Sequence, residues 1–245
     1  MKRVEEMYMD FIGNHPIFAD SEFVMSNAQA LQLKQMARVE GRTLALCNAG
    51  RNDYHFLHTN CPEFSHLFSG TVTVEEFVKS IWPADIDHFV SAWCKAFRFI
   101  GDLSTEELID YALVFECRLR NIHGVYKRVM FKYLLVEDHS EGDHGQVLLM
   151  LKPVDGCSSR ELSKGIYIIN LQTGKFMKRA TGCTFSDREL QIAALSKEGY
   201  NKAAIAEELF ISHDTIDNHR RNINQKLSVR EISFAVMYLH DMGVI

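Results

Sequence analysis

Between His213 and Leu227 the sequence reads His-Asp-Thr-Ile-Asp-Asn-His-Arg-Arg-Asn-Ile-Asn-Gln-Lys-Leu, and its hydrogen-bonding side chains recur at helical spacing. At about 100° per residue, Ile216, Ile223 and Leu227 share one stripe. Asp214, Asn218, Arg221 and Gln225 fall opposite, Asp217 borders them, and Thr215, Asn222 and Lys226 run along one edge. Asn, Gln and Arg carry the paired donors and acceptors that match base edges, while Thr, Asn and Lys suit phosphate oxygens. A merely solvated face would be richer in Glu and Lys. The chemistry on offer is recognition of double-stranded DNA by a helix in the major groove.

Such a helix needs others to brace it, and the flanking sequence supplies their start and stop signals. Ser186 with Glu189 three residues on makes a capping box for a helix that Gly199 ends, and Asp187 suits its first turn. Asn201 caps a second helix over Lys202 to Leu209, Phe210-Ile-Ser is the turn, and Ser212 caps the helix with the polar face. A last helix from Glu231 to Asp241 closes at Gly243.

The order of residues here closely resembles the LuxR/GerE/NarL helix-turn-helix family. The residues that carry the likeness are Phe185-Ser-Asp-Arg-Glu, Gly199, Ile205-Ala-Glu-Glu-Leu, Ile211-Ser-His-Asp-Thr-Ile-Asp-Asn-His, Asn222-Ile and Lys226-Leu, in register without a gap. The resemblance implies a four-helix DNA-binding domain, dimeric on double-stranded DNA, in a bacterial transcription regulator. It places the base-reading positions on Asp217, Asn218 and Arg221, and backbone contacts are expected at Ser212, Thr215, Asn222 and Lys226. Three departures stand out: Ala204 replaces the usual Glu before Ile-Ala, Ile232 stands where the family has an Arg after the Lys-Leu turn, and Asp217 occupies a position that is often basic. Residues 183 to 245 hold seven Lys/Arg against nine Asp/Glu. Phosphate affinity must then draw on dimerisation or on the basic connector, which carries Arg160, Lys164, Lys175, Lys178 and Arg179.

The N-terminal part has a different texture. Helical composition marks Glu5-Glu-Met-Tyr-Met and Glu22 through Val39, with Asp20 or Ser21 as caps. Strands are expected at Thr43 to Cys47 and Tyr54 to His58, short helices at Glu63 to Leu67 and Val74 to Ser80, and a longer helix from a capping Asp85 to about Phe99. Val114 to Arg120, Tyr126 to Val136 and Gln146 to Lys152 alternate as an antiparallel meander with a helix-covered side. Trp82-Pro-Ala-Asp-Ile and the hairpin Phe115-Glu-Cys-Arg-Leu-Arg, Asn121-Ile-His-Gly-Val-Tyr-Lys-Arg-Val make this region similar to a PAS domain, with His123 where the family has an aspartate. That implies a sensor for a small-molecule ligand or a partner-pairing module, with a candidate pocket lined by Phe56, Phe89, Trp93, Phe115, Phe131 and Leu149. The plain alternative is that these six are simply core.

The expected fold is therefore α+β. A helical segment (1–40) precedes a PAS-like antiparallel sheet with helices (41–154). A connector with a hairpin around Gln172 to Lys175 follows (155–183), then an all-α four-helix LuxR-type helix-turn-helix domain (184–245). At 245 residues the length suits one large domain or two small ones.

A net charge of -5 excludes a generally basic nucleic-acid coat, so DNA contact must rest on local charge. No apolar run approaches the ~20 residues of a membrane span, and the N-terminus lacks a signal-peptide core, so no membrane association and a cytoplasmic location are expected. The cofactor is left unknown. His66 or His88 are the candidates for a haem ligand and Cys61 or Cys94 for a flavin-reactive thiol, but each lacks a surrounding motif, and all six cysteines read as buried free thiols. No nucleophile–base or paired-carboxylate pattern points to an enzyme. The rival to DNA reading is a protein-interaction module built on an acidic helix-turn-helix domain.

Overall fold

The computed structural model describes residues 26–48, 53–100, 103, 105–136, 146–154, 165–176 and 185–245. The helix expected near Glu5, the caps Asp20 and Ser21, Cys157, Cys183 and most of the connector's basic residues lie outside these. Helix α1 (Asn27–Val39) begins at Ser26, whose hydroxyl accepts from Gln29 N while the Gln29 side chain accepts from Ser26 N. Strands β1 (Thr43–Asn48) and β2 (Asp53–His58) form an antiparallel hairpin edged by β3 (Thr71–Thr73). Helix α2 (Val74–Lys79), capped by Thr73, then α3 (Ile86–Ile100) and a single turn, α4 (Thr105–Leu108), lead to the meander β4 (Tyr111–Arg120), β5 (Tyr126–Val136) and β6 (Gln146–Pro153). β6 returns beside β1, so the two ends of this unit close on each other.

Two local devices fix the meander. Asn121 Oδ1 accepts from His123 N and Val125 N, shaping the β4–β5 turn, and Gly124 (φ 76°) supplies its left-handed residue. Asp85 stands at the start of α3, where the sequence suggested a cap, but its carboxylate accepts from Arg118 Nε at 2.8 Å and Arg118 N at 3.0 Å. The Arg118 guanidinium also lies 5.1 Å over the Trp82 ring. The Trp-Pro-Ala-Asp motif thus pins the start of α3 to β4 rather than capping it.

The hairpin expected in the connector is part of the sheet. β7 (Ile166–Asn170) pairs with the free side of β4, and β8 (Lys175–Phe176) pairs with β7. The full order is β3-β2-β1-β6-β5-β4-β7-β8, so the sheet runs past the boundary expected at 154. A continuous run such as Ile166-Tyr-Ile-Ile169, buried throughout, is what a strand covered on both faces needs.

Both faces of the sheet are in fact covered. The inner face and the helices α2 and α3 enclose an aromatic core in which Phe115 and Phe131 stack at 5.2 Å and Trp93 meets Tyr133 edge-on at 4.5 Å. The outer face takes α1 over β1 and β6, through Ala37 and Leu33 against Leu44, Leu46, Leu148 and Met150. Farther along, it takes the C-terminal helices α5 (Asp187–Lys197), α7 (His213–Leu227) and α8 (Ile232–Met242), while α6 (Lys202–Leu209) packs on α5 and α7. Val114, Met130, Tyr167 and Ile169 of the sheet share one buried cluster with Ile223, Leu227, Tyr238, Leu239 and Met242.

Four cations rise from this outer face to meet the ends of α7 and α8. Arg128 Nη1 and Nη2 donate to the carbonyls of Ser228 and Leu227, each at 2.9 Å. Lys132 Nζ donates to Met242 O at 3.0 Å, Arg42 to Asp241 O at 3.0 Å, and Lys152 to the Asp241 carboxylate at 2.8 Å. Helix C-termini carry unpaired carbonyls and partial negative charge, so cations there satisfy both.

Burial lowers the Lys132 amine to about 8, with Arg42 pushing the same way and Glu40 and Asp241 opposing. Between pH 8 and the ordinary lysine value of ~10.4, the unfolded chain holds a proton here that the folded chain has released. Stability from this group therefore rises with pH across that window. Urea midpoints at pH 7.5 and 10 should show the wild type gaining on Lys132→Met as pH rises, and a constant gap between the two would contradict it.

Candidate nucleic-acid interface

The helix α7 is built as its sequence spacing requires. Ser212 Oγ accepts from Thr215 N at 3.1 Å at its start, and Ser228, left-handed at φ 52°, ends it. Ile216, Ile223 and Leu227 are fully buried, Ile216 against Ile192 and Ile205, the other two against α8 and the sheet. Asp214, Asn218, Arg221, Asn222 and Gln225 are exposed along the opposite side. The chain enters α7 through Phe210, whose backbone is left-handed (φ 53°) and whose ring is 93% exposed.

The bracing helices carry the expected caps. Ser186 Oγ accepts from Glu189 N, the Glu189 carboxylate accepts from Ser186 N at 2.7 Å, and Asn201 Oδ1 accepts from Ala204 N at 2.9 Å. Gly199 (φ 90°) ends α5, and Gly243 (φ 86°) ends α8.

Within the polar face the residues are not equivalent. Arg221 Nη1 donates to Asn218 Oδ1 at 2.9 Å, one turn earlier, which holds both planar groups side by side on the open face. Asp217 does not present a bare carboxylate: Lys202 of α6 reaches it at 3.0 Å. Lys226, an expected phosphate contact, is turned inward, 2.6 Å from Glu189 and 5.4 Å from the Phe185 ring centroid. Ser212 and Thr215 share a hydroxyl–hydroxyl bond of 2.8 Å at the helix start, and Asn222 is open. A shallow depression beside this face is bordered by Asp217, Arg220, Arg221, Asn224, Gln225 and Arg230.

Lys202 and Arg220 were not among the residues singled out from the sequence. Lys202 sits fifteen residues before Asp217 in a different helix, so no spacing rule within one helix links them. Arg220 donates to Ser196 Oγ at 3.4 Å and braces α7 on α5.

The six candidate pocket residues, Phe56, Phe89, Trp93, Phe115, Phe131 and Leu149, come together in the inner core and are all buried. Two residues missed from the sequence join them: Tyr54 and Tyr133, whose hydroxyls lie 3.4 Å apart inside that apolar setting. Buried phenols usually find a hydrogen-bond partner, and these two lie within reach of each other. His66 is exposed, and His88 packs edge-on to Phe115 with ring centroids 6.2 Å apart. Burial, then the neighbouring Glu63, pushes the Cys61 thiol up to about 11, and burial likewise raises Cys47 and Cys117. Such thiols are poor nucleophiles. Among the described residues no three His, Cys, Asp or Glu side chains come together to hold a metal ion, and none of the helices is long and apolar enough to cross a membrane.

Residues 183–239 match the family model GerE, bacterial regulatory proteins of the luxR family. Two relatives are similar over the same region. The transcriptional regulatory protein LnrK of Bacillus subtilis is 39% identical over 59 residues, 24% of this chain and 27% of its own. The oxygen regulatory protein NreC of Staphylococcus carnosus is 42% identical over 53 residues, 22% of this chain and 24% of its own. The match thus spans about a quarter of the length of either relative. Among solved structures, the phage VqmA–DPO complex aligns over 89% of this chain and 91% of its own at 13% identity, with a TM-score of 0.27, too low to carry over a fold. The part of the molecule that is similar to the luxR family of bacterial regulatory proteins is therefore the segment 183–239, which builds α5, α6, α7 and most of α8.

Proposed function

We propose that this chain is a cytoplasmic, DNA-binding bacterial transcription regulator, in which α7 enters the major groove and a PAS-like sensor on the N-terminal sheet governs it. The observation that carries the reading is the open face of α7: Asn218 and Arg221, bonded to each other and exposed, lie in the segment with the luxR-family likeness. Arg reads guanine and Asn reads adenine through two bonds each. Asp217 fits beside them because Lys202 offsets its charge. Ser212, Thr215 and Asn222 are the nearest candidates for phosphate oxygens, and Lys226 would have to leave Glu189 to join them.

The PAS-like reading is supported by the order of elements: a hairpin, short helices, the long α3, then a meander that closes on the hairpin. A ligand here would have to be compact and largely apolar, would enter only by displacing side chains of this packed interior, and would have the Tyr54–Tyr133 hydroxyl pair as its polar anchor. Two copies of the chain on two half-sites would supply affinity that an acidic reader lacks alone.

Selection from randomised duplexes at low salt tests the function. Enrichment of one motif by the wild type, and its loss with Arg221→Ala, is the expected result. No enrichment at any salt would favour a protein-docking module instead.

A further inference from the structure

At the junction of sheet and reader, Arg128 of β5 is 2% exposed and Glu116 of β4 is 0% exposed. Their carboxylate–guanidinium fork is closed at 2.7 and 2.8 Å, and the same guanidinium holds the last carbonyls of α7, Leu227 O and Ser228 O. A buried ion pair of this kind costs desolvation that its mutual attraction only repays with good geometry and full hydrogen bonding. Here the further bonds go to α7. On the other side of the same two strands, Phe115 and Phe131 are register partners that stack within the inner core. Side chains alternate across a strand, so Phe115 and Glu116 are consecutive residues facing opposite layers. β4 and β5 therefore stand between the aromatic interior and the end of the helix proposed to read DNA.

We propose that Arg128 is a positioning residue for α7. Through the fork to Glu116 it ties the angle of α7 to the β4–β5 pair, so a change in packing around Phe115 and Phe131 is transmitted to the reader at Leu227 and Ser228. The rest of the junction has the same sense. Lys132, Arg42 and Lys152 hold the end of α8, while Asn218 and Arg221 stay exposed on the far side of α7. Docking therefore orients the reading face rather than covering it. Its consequence for DNA rests on the function proposed above, but the coupling itself does not.

Hydrogen exchange of the full chain, read by mass spectrometry without DNA, tests the coupling through a double-mutant cycle. Phe115→Leu perturbs the interior, and Arg128→Lys keeps the charge while losing the fork. Arg128→Met is a second variant, with exchange in α3 and in α5 as the check that both layers remain folded. In the wild type, Phe115→Leu should speed exchange at 224–229 by about tenfold. In the Arg128 backgrounds exchange there should already be faster, and Phe115→Leu should add little. The proposal is overturned if 224–229 exchange is unchanged in both Arg128→Lys and Arg128→Met, or if Phe115→Leu has the same effect in every background. If Arg128→Met does not fold, Arg128→Lys alone decides. DNA takes no part, so failure here leaves the DNA reading standing, and the absence of a selected duplex would leave this coupling standing.

Discussion

Arg128→Met is expected to lower the stability of the folded chain by about 3–5 kcal/mol, the usual cost of removing one partner from a buried ion pair. Glu116, fully buried, would be left with its charge unmatched, and Leu227 O and Ser228 O would lose their donor. The second loss separates this pair from a simple one. In a simple buried pair, replacing both partners with well-packed hydrophobic residues of similar volume recovers most of the stability. Here Glu116→Met with Arg128→Met should recover only part, because the two carbonyls at the end of α7 remain unbonded at about 1–3 kcal/mol each. Urea midpoints of the single and double variants would show it. A double variant as stable as the wild type would mean that the α7 carbonyls draw nothing from Arg128.

Phe131→Ala should cost a similar ~3–5 kcal/mol through the cavity it leaves. The ring is fully buried, its centroid 5.2 Å from that of Phe115, 5.9 Å from Phe77 and 6.1 Å from Phe89, on three different elements, which cannot all collapse into the space. The resulting hole would be apolar and dry, able to take benzene or xenon. Thermal midpoints with and without benzene should therefore differ for Phe131→Ala and not for the wild type. A loss below about 1 kcal/mol would show that α2 and α3 close over the site, contrary to interior packing at native density.

How much of this was legible beforehand differed between the two halves of the chain. The caps at Ser186, Asn201 and Ser212 and the stripe Ile216, Ile223, Leu227 are local signals, fixed by neighbours within one or two turns, and the helices stand where those signals place them. The β4–β5 hairpin was equally plain in its alternation. What stayed hidden depends on partners far along the chain. Glu116 and Arg128 read as the polar side of two strands, and nothing nearby says that residues 227 and 228 will bury them. A clue was available in Val114, Met130, Leu148 and Met150, apolar residues on that same supposedly polar side. Lys226 shows the converse: its place on the helix edge was legible, and its turn inward to Glu189 was not, because Glu189 lies 37 residues earlier.

The most direct test of the account is base discrimination by Arg221 on the duplex the wild type selects. With single base-pair changes across that site at fixed salt, the wild type should lose about 1–3 kcal/mol at the position Arg221 reads, and Arg221→Ala should bind all four base pairs there nearly alike. Equal weakening of every duplex by Arg221→Ala, or no weakening at all, would contradict the claim that the open face of α7 reads bases.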